Sequence, residues 1–137
     1  MPPSLTSCVP SFNGWGVTPV DSLDTMLLMG LEDEFTRALP VISHANFSLP
    51  SVSHFLLPFP CAVPFSANPQ NTYVPFFETV IRYLGGLLAA YAISGQDLLR
   101  DKADELGTKL APAFNTTSGF PGFAVDTYRQ ALSMFWF

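Results

Sequence analysis

Apolar positions recur with helical spacing in three stretches of the chain, and prolines and glycines stand between them. In the first stretch Leu23, Met26, Leu27 and Leu31 lie three and four residues apart and make one apolar face. Asp21 or Ser22 suits the cap, and Asp24 falls in the first turn, where a carboxylate complements the helix dipole. Gly30 weakens this helix, so a break into a second short one, Leu31 to Leu39, is expected, with Pro40 as its end. The strongest pattern runs from Pro75 to Ser94. There Phe77, Ile81, Leu84, Leu88 and Tyr91 repeat at the helical period, Pro75 suits the first turn, and Gly95 suits the stop. Gly85 and Gly86 each cost ~1 kcal/mol relative to Ala, so a pair there points to another helix approaching closely. The third pattern opens at Asp97, read as a cap, and continues to about Ala113. Its buried stripe is Leu99, Ala103, Leu106 and Leu110, and Asp101, Lys102, Asp104, Glu105 and Lys109 form its wet face. The tight link between the last two helices predicts an antiparallel pair.

The intervening stretches are irregular. Residues 1–12 carry three prolines and no period, and Asn13-Gly14-Trp15-Gly16 is a turn signal. From Ser43 to Asn71, Pro50, Pro58, Pro60, Pro64 and Pro69 forbid a continuous helix, yet the stretch is rich in Phe, Leu and Val. Residues 114–137 begin with turn chemistry and end in an apolar tail. The expected class is all-α, with about three to four helices and an irregular Pro-rich interruption.

Composition narrows the picture. A chain of 137 residues suits one domain, and 48% hydrophobic content is ample for a core. Only 12% of residues are charged, about half the usual share, which fits either a small, sticky domain or a slice of a larger one. The net charge of −5, with no basic cluster, makes nucleic acid an unfitting partner. Cys8 and Cys61 are too few for a disulfide framework, and unpaired thiols are expected. Asn46-Phe47-Ser48 and Asn115-Thr116-Thr117 match the N-glycosylation acceptor pattern and lend slight support to a secretory route. Residues 1–10 show neither a basic nor an apolar leader region. The longest apolar run, Leu84 to Ile93, falls short of the ~20 residues a membrane helix needs, so no membrane segment is expected in this chain.

Few residues can do chemistry. His44 and His54 both fall in the irregular stretch, and no HExxH, CxxC, GxSxG or GxGxxG occurs. What remains is carboxylates in apolar settings. Glu78, among Phe76, Phe77, Val80 and Ile81, reads either as a dipole partner in an early turn or as a general acid with a pKa raised by burial. Arg82, one turn on, pairs with it under both readings. Asp21 and Asp24 are equally open, as cap residues or site residues.

Three motifs at these residues carry a family resemblance. Asn13 to Ala38 (NGWGVTPVDSLDTMLLMGLEDEFTRA) resembles the opening signature of class I α-1,2-mannosidases, glycoside hydrolase family 47. Phe77 to Gly95 (FETVIRYLGGLLAAYAISG) resembles that family's second signature, and Lys102 to Pro121 is similar to the stretch that follows. The motifs occur in family order over about half of the chain. The resemblance implies part of an (α/α)7 barrel that binds calcium and removes α-1,2-linked mannose from high-mannose N-glycans with inversion, in the endoplasmic reticulum or Golgi or after secretion. It places the general acid, acting through a water, at Glu78, an acidic residue near the site at Asp21, and a substrate-binding arginine at Arg82. It puts the base carboxylates and the calcium-binding threonine outside this chain, so no calcium is expected on its own residues.

The departures are as informative. Asp21 and Glu78 are 78 − 21 = 57 positions apart, longer than the family pattern, and the excess falls in residues 51–70. Residues 1–12 and those after Asp126 also leave the pattern. The expected organisation is an irregular leader over 1–12, the N-terminal part of a catalytic domain over 13–126 with 51–70 inserted, and a divergent tail over 127–137. Translation across splice boundaries accounts for all three departures, and a natural insertion is the alternative. The chain alone is then expected to be inactive and prone to self-association or chaperone binding. A non-catalytic glycan-binding protein and a non-functional product of a faulty gene model are the other readings.

Overall fold

The structure, a computed structural model, describes residues 15–48 and 73–132. The leader 1–12, the stretch 51–70, Cys8, Cys61, His54 and the end of the tail from 133 lie outside the described residues.

The first apolar pattern becomes three helices: α1 (Val17–Asp21), α2 (Leu23–Leu28) and α3 (Glu32–His44). The chain turns helical four residues before the expected cap, because Gly16, with φ 72°, supplies the left-handed conformation that lets α1 start. Ser22 caps nothing with its side chain. Its hydroxyl donates back to the Thr18 carbonyl at 2.7 Å, across the kink between α1 and α2. The break at Gly30 forms as expected, at φ 70°.

Pro40 does not end its helix. The α3 helix runs through it to His44, with Phe35, Ala38 and Ile42 buried at helical spacing on both sides of the proline. An interior proline costs ~3 kcal/mol. Burying a residue such as Ile42, which is 1% exposed, returns ~1.5–3 kcal/mol, so packing carries the helix past the break.

The longest pattern becomes one helical run, Phe76–Ser94. It consists of α4 (Phe76–Thr79), a π-helical turn (Val80–Leu84) and α5 (Gly85–Ser94). Pro75 sits just before the first turn at φ −65°. The apolar period does not mark one buried face: Phe77, Ile81 and Leu88 are exposed, Leu84 and Tyr91 are partly buried against the core, and Thr79, Tyr83, Leu87 and Ala90 are buried. The helix is apolar all round, so hydrophobic period alone does not tell its two faces apart. The inward one is the face with small residues, which lets neighbours approach. Gly86 shows why: a β-carbon there would lie 2.7 Å from the Val20 carbonyl oxygen of α1.

At 19 residues this run is long and apolar enough, by length and composition alone, to cross a membrane, which the ten-residue apolar stretch did not indicate. In this structure it instead packs against α2 and against α6 (Asp97–Leu110). Gly95, at φ 67°, and Gln96 make the short link. Gln96 takes the cap position, and Asp97 instead pairs with Arg100 at 3.0 Å. Leu99, Ala103, Leu106 and Leu110 are buried as expected.

The core centres on three aromatic rings. Trp15, Phe47 and Tyr83 meet edge to face, with centroids 5.3, 5.9 and 6.3 Å apart. They tie the start of α1 and the segment after α3 to the π turn. A small antiparallel sheet, absent from the all-α expectation, closes one end in the order β1 (Tyr73–Pro75), β2 (Ala124–Asp126), β3 (Ala131–Leu132). Tyr73 stands opposite Asp126 and Val125 opposite Leu132. Asp126 shapes the hairpin, its buried carboxylate accepting the backbone N–H groups of Tyr128 and Arg129, each at 3.0 Å.

Candidate active site

Asp21, Glu78 and Arg82 come together. Asp21 ends α1 and Glu78 lies in the first turn of α4, where the helix dipole favours its charge. Arg82 stands one turn later in the π turn and reaches both. Its Nε donates to Glu78 Oε2 at 2.7 Å and its Nη1 to Asp21 Oδ2 at 3.0 Å. Using two separate nitrogens is what a guanidinium does and an ammonium does not. The contact of Gly86 with Val20 brings α1 close to the long helix, so Asp21 comes within reach.

The three side chains are open to solvent, at 43%, 38% and 42% exposure for Asp21, Glu78 and Arg82. The apolar envelope expected around Glu78 is therefore not closed by the residues described. The hydrogen bonds it donates to Glu78 and then to Asp21 hold the Arg82 guanidinium above its ordinary pKa, so it stays charged throughout. Beside it, burial pushes the Tyr83 phenol well above its usual range, and the negative charge of Asp21 adds to this. Val17, Thr18, Asp21, Ser22 and Arg82 line an open hollow of about 290 Å³. Of the trio only Asp21 and Arg82 line that hollow, so one carboxylate and one guanidinium face it together.

Sequence reasoning missed Thr18 and Ser22 as lining residues. Their signal is spacing alone, since they share a short helical stretch with Asp21. Asp24 is not part of the cluster; its Oδ1 accepts the backbone N–H of Thr25 at 2.7 Å. His44 is engaged by the Pro40 carbonyl and Ser43 at the end of α3.

Calcium takes six to eight oxygen ligands. Among the described residues no three His, Cys, Asp or Glu side chains gather to hold a metal. The Asp21 and Glu78 carboxylates are already spent on one cation, so the donor set present does not fit a calcium ion.

Comparison with known proteins supplies the context for this cluster. Residues 1–133 match the model of glycosyl hydrolase family 47. The mannosyl-oligosaccharide 1,2-alpha-mannosidase IA of Sus scrofa is 40% identical over 107 residues, 77% of this chain and 13% of its own length. The human enzyme named IB is 40% identical over 112 residues, 81% of this chain and 14% of its own. The endoplasmic reticulum mannosyl-oligosaccharide 1,2-alpha-mannosidase of Rattus norvegicus is 39% identical over 109 residues, 79% of this chain and 13% of its own. Among solved structures, an alpha-1,2-mannosidase from Trichoderma reesei superposes with a TM-score of 0.66 at 32% identity, covering 89% of this chain and 24% of its own. The chain thus spans between about an eighth and a quarter of the length of these relatives, and its helices form part of an (α/α)7 barrel. With the motifs, the helical pairs and the family match in agreement, this chain belongs to glycosyl hydrolase family 47.

Proposed function

We propose that Asp21, Glu78 and Arg82 form the acid side of a site that hydrolyses terminal α-1,2-linked mannose from high-mannose N-glycans with inversion. The observation that carries this reading is the convergence of two carboxylates, 78 − 21 = 57 positions apart, on one guanidinium that lines an open hollow. An inverting glycosidase needs two carboxyls ~6.5–9.5 Å apart, one to protonate the leaving oxygen and one to activate water from the other face. In our reading Glu78 delivers the proton, through a water, to the glycosidic oxygen. Arg82 fixes the Glu78 carboxylate by its Nε and is placed to bind sugar hydroxyls. Asp21 locks the other side of that guanidinium. The base and the calcium belong, on this reading, to barrel residues outside this chain. A secretory-pathway location accompanies the reading, supported by the endoplasmic reticulum enzyme among the relatives.

The test is a chimaera in which residues 13–126 replace the matching segment of the Sus scrofa mannosidase. It should release mannose from a high-mannose glycan, and Glu78→Gln should lower the rate ~10²–10⁴-fold, the usual worth of a general acid. Unchanged turnover in the Gln variant would remove Glu78 from the mechanism. The 137-residue chain alone should release no mannose, with or without calcium. Turnover by it would favour a self-sufficient site.

A further inference from the structure

The chain carries two N-glycan acceptor triplets, and folding leaves them in opposite states. In the first, Asn46 is exposed but the next residue, Phe47, is 0% exposed and wedged between Trp15 and Tyr83. The Ser48 hydroxyl, which a transferase must read, accepts a hydrogen bond from Lys109 Nζ, and the Ser48 N–H is taken by Asn46 Oδ1 at 2.9 Å. Presenting this triplet to an enzyme would pull an aromatic ring out of the core.

The second triplet is free of such ties. Asn115 and Thr117 are exposed, in the loop that follows the 3₁₀ turn Ala111–Phe114. The Thr116 hydroxyl donates across the loop to the Phe120 carbonyl at 2.7 Å, which holds the loop without using the two residues an enzyme would read. Phe114 and Phe120 stand exposed beside it, at 53% and 77%, flat apolar surface of the kind a sugar ring covers.

We propose that Asn115 is an N-glycosylation site and that the fold withdraws Asn46 from modification. The donor class is an oligosaccharide held on a lipid pyrophosphate. The Asn115 side-chain nitrogen forms the bond to the anomeric carbon, the carbon–oxygen bond to the pyrophosphate breaks, and the lipid pyrophosphate leaves. The amide proton passes to a base of the transferase. The site rests on the secretory-route reading, since such donors reside there.

The test translates the full chain behind a secretion leader with microsomes, with an Asn-Gly-Thr acceptor appended at the end to report entry. Because the leader supplies entry, the result at Asn115 is independent of where the native protein resides. Two endoglycosidase-sensitive mobility shifts are expected, one from the tail and one from Asn115. Asn115→Gln and, separately, Thr117→Val should each remove one shift, and Asn46→Gln should remove none. A shift from the tail alone, or one lost in Asn46→Gln and kept in Asn115→Gln, would overturn the proposal.

Discussion

Arg82 links two elements through one planar group. A lysine at that position would carry the same charge but offer no second, rigidly placed donor, so it could satisfy Glu78 or Asp21 and not both geometries together. In the chimaera, Arg82→Lys should therefore lower kcat/KM by about 10²-fold, the scale of a small misplacement of a catalytic group. Stability should change little, because the ion pairs sit in water. An unchanged kcat/KM would reduce the trio to a surface salt bridge. Next to it, Tyr83 makes a separate prediction. Its folded-state pKa is raised above the ordinary 10.0 by burial, so the folded chain holds the phenol neutral where the unfolded chain lets it ionise. The stability this gives is whole below pH 10 and drains away as pH rises above it. Urea midpoints of the chimaera should fall between pH 9 and 11, and fall less in Tyr83→Phe. Equal slopes would place the phenol in contact with solvent. At this scale the sequence was legible for pairing at i,i+4, since Glu78 and Arg82 meet as their spacing demands. The Asp21 partner was legible only through the family motif, because nothing local links positions so far apart.

Among the elements, the long helix decides how the site is assembled. A β-carbon on Gly86 would meet backbone, which has no rotamer to move aside. Alanine gains ~1 kcal/mol in helix propensity, but overpacking against a fixed neighbour costs ~1–3 kcal/mol. Gly86→Ala should therefore destabilise the chimaera by up to ~2 kcal/mol in urea titration and also lower its activity, since α1 carries Asp21. Gly95 has open space around its β-position yet φ 67°, so only strain would follow there. A Gly86→Ala variant that is as stable and as active as its parent would refute the close approach. The glycine pair was a readable signal for this contact, and the stripe on α6 was readable too, since its other face is charged. The inward face of the long helix was not, because both faces are apolar and only burial tells them apart. The sheet escaped notice for another reason: strands of two or three residues are too short for an alternating pattern to show. Continuation of α3 through Pro40 was hidden because a local rule was outweighed by the burial of Ile42.

Seen whole, the chain has a core and an unfinished surface. The aromatic triangle and the α5–α6 pair supply interior contacts, but apolar side chains also point outward. Leu28 and Met29 lie on one side, Phe77, Ile81 and Leu88 on the outer face of the long helix, and Phe120 and Phe123, the latter 80% exposed, on the loop before β2. In a closed helical barrel such faces meet neighbouring helices, and this chain covers 24% of the solved relative that it matches. Scattered exposed apolar residues are ordinary, but a row along one helix is a surface that associates. A net charge of −5 spread over 137 residues gives only weak repulsion against it. The Asp21, Glu78 and Arg82 side chains, each open to solvent, belong to the same picture. We expect the isolated chain to be helical by circular dichroism, to unfold with low cooperativity, and to self-associate at micromolar concentration in sedimentation. Replacing Phe77, Ile81 and Leu88 together by Gln should reduce that association and leave the helical signal unchanged, since none of the three is in the core. A monomeric parent chain with a sharp thermal transition would mean that the row is tolerated, and that this part of the barrel stands as a domain by itself.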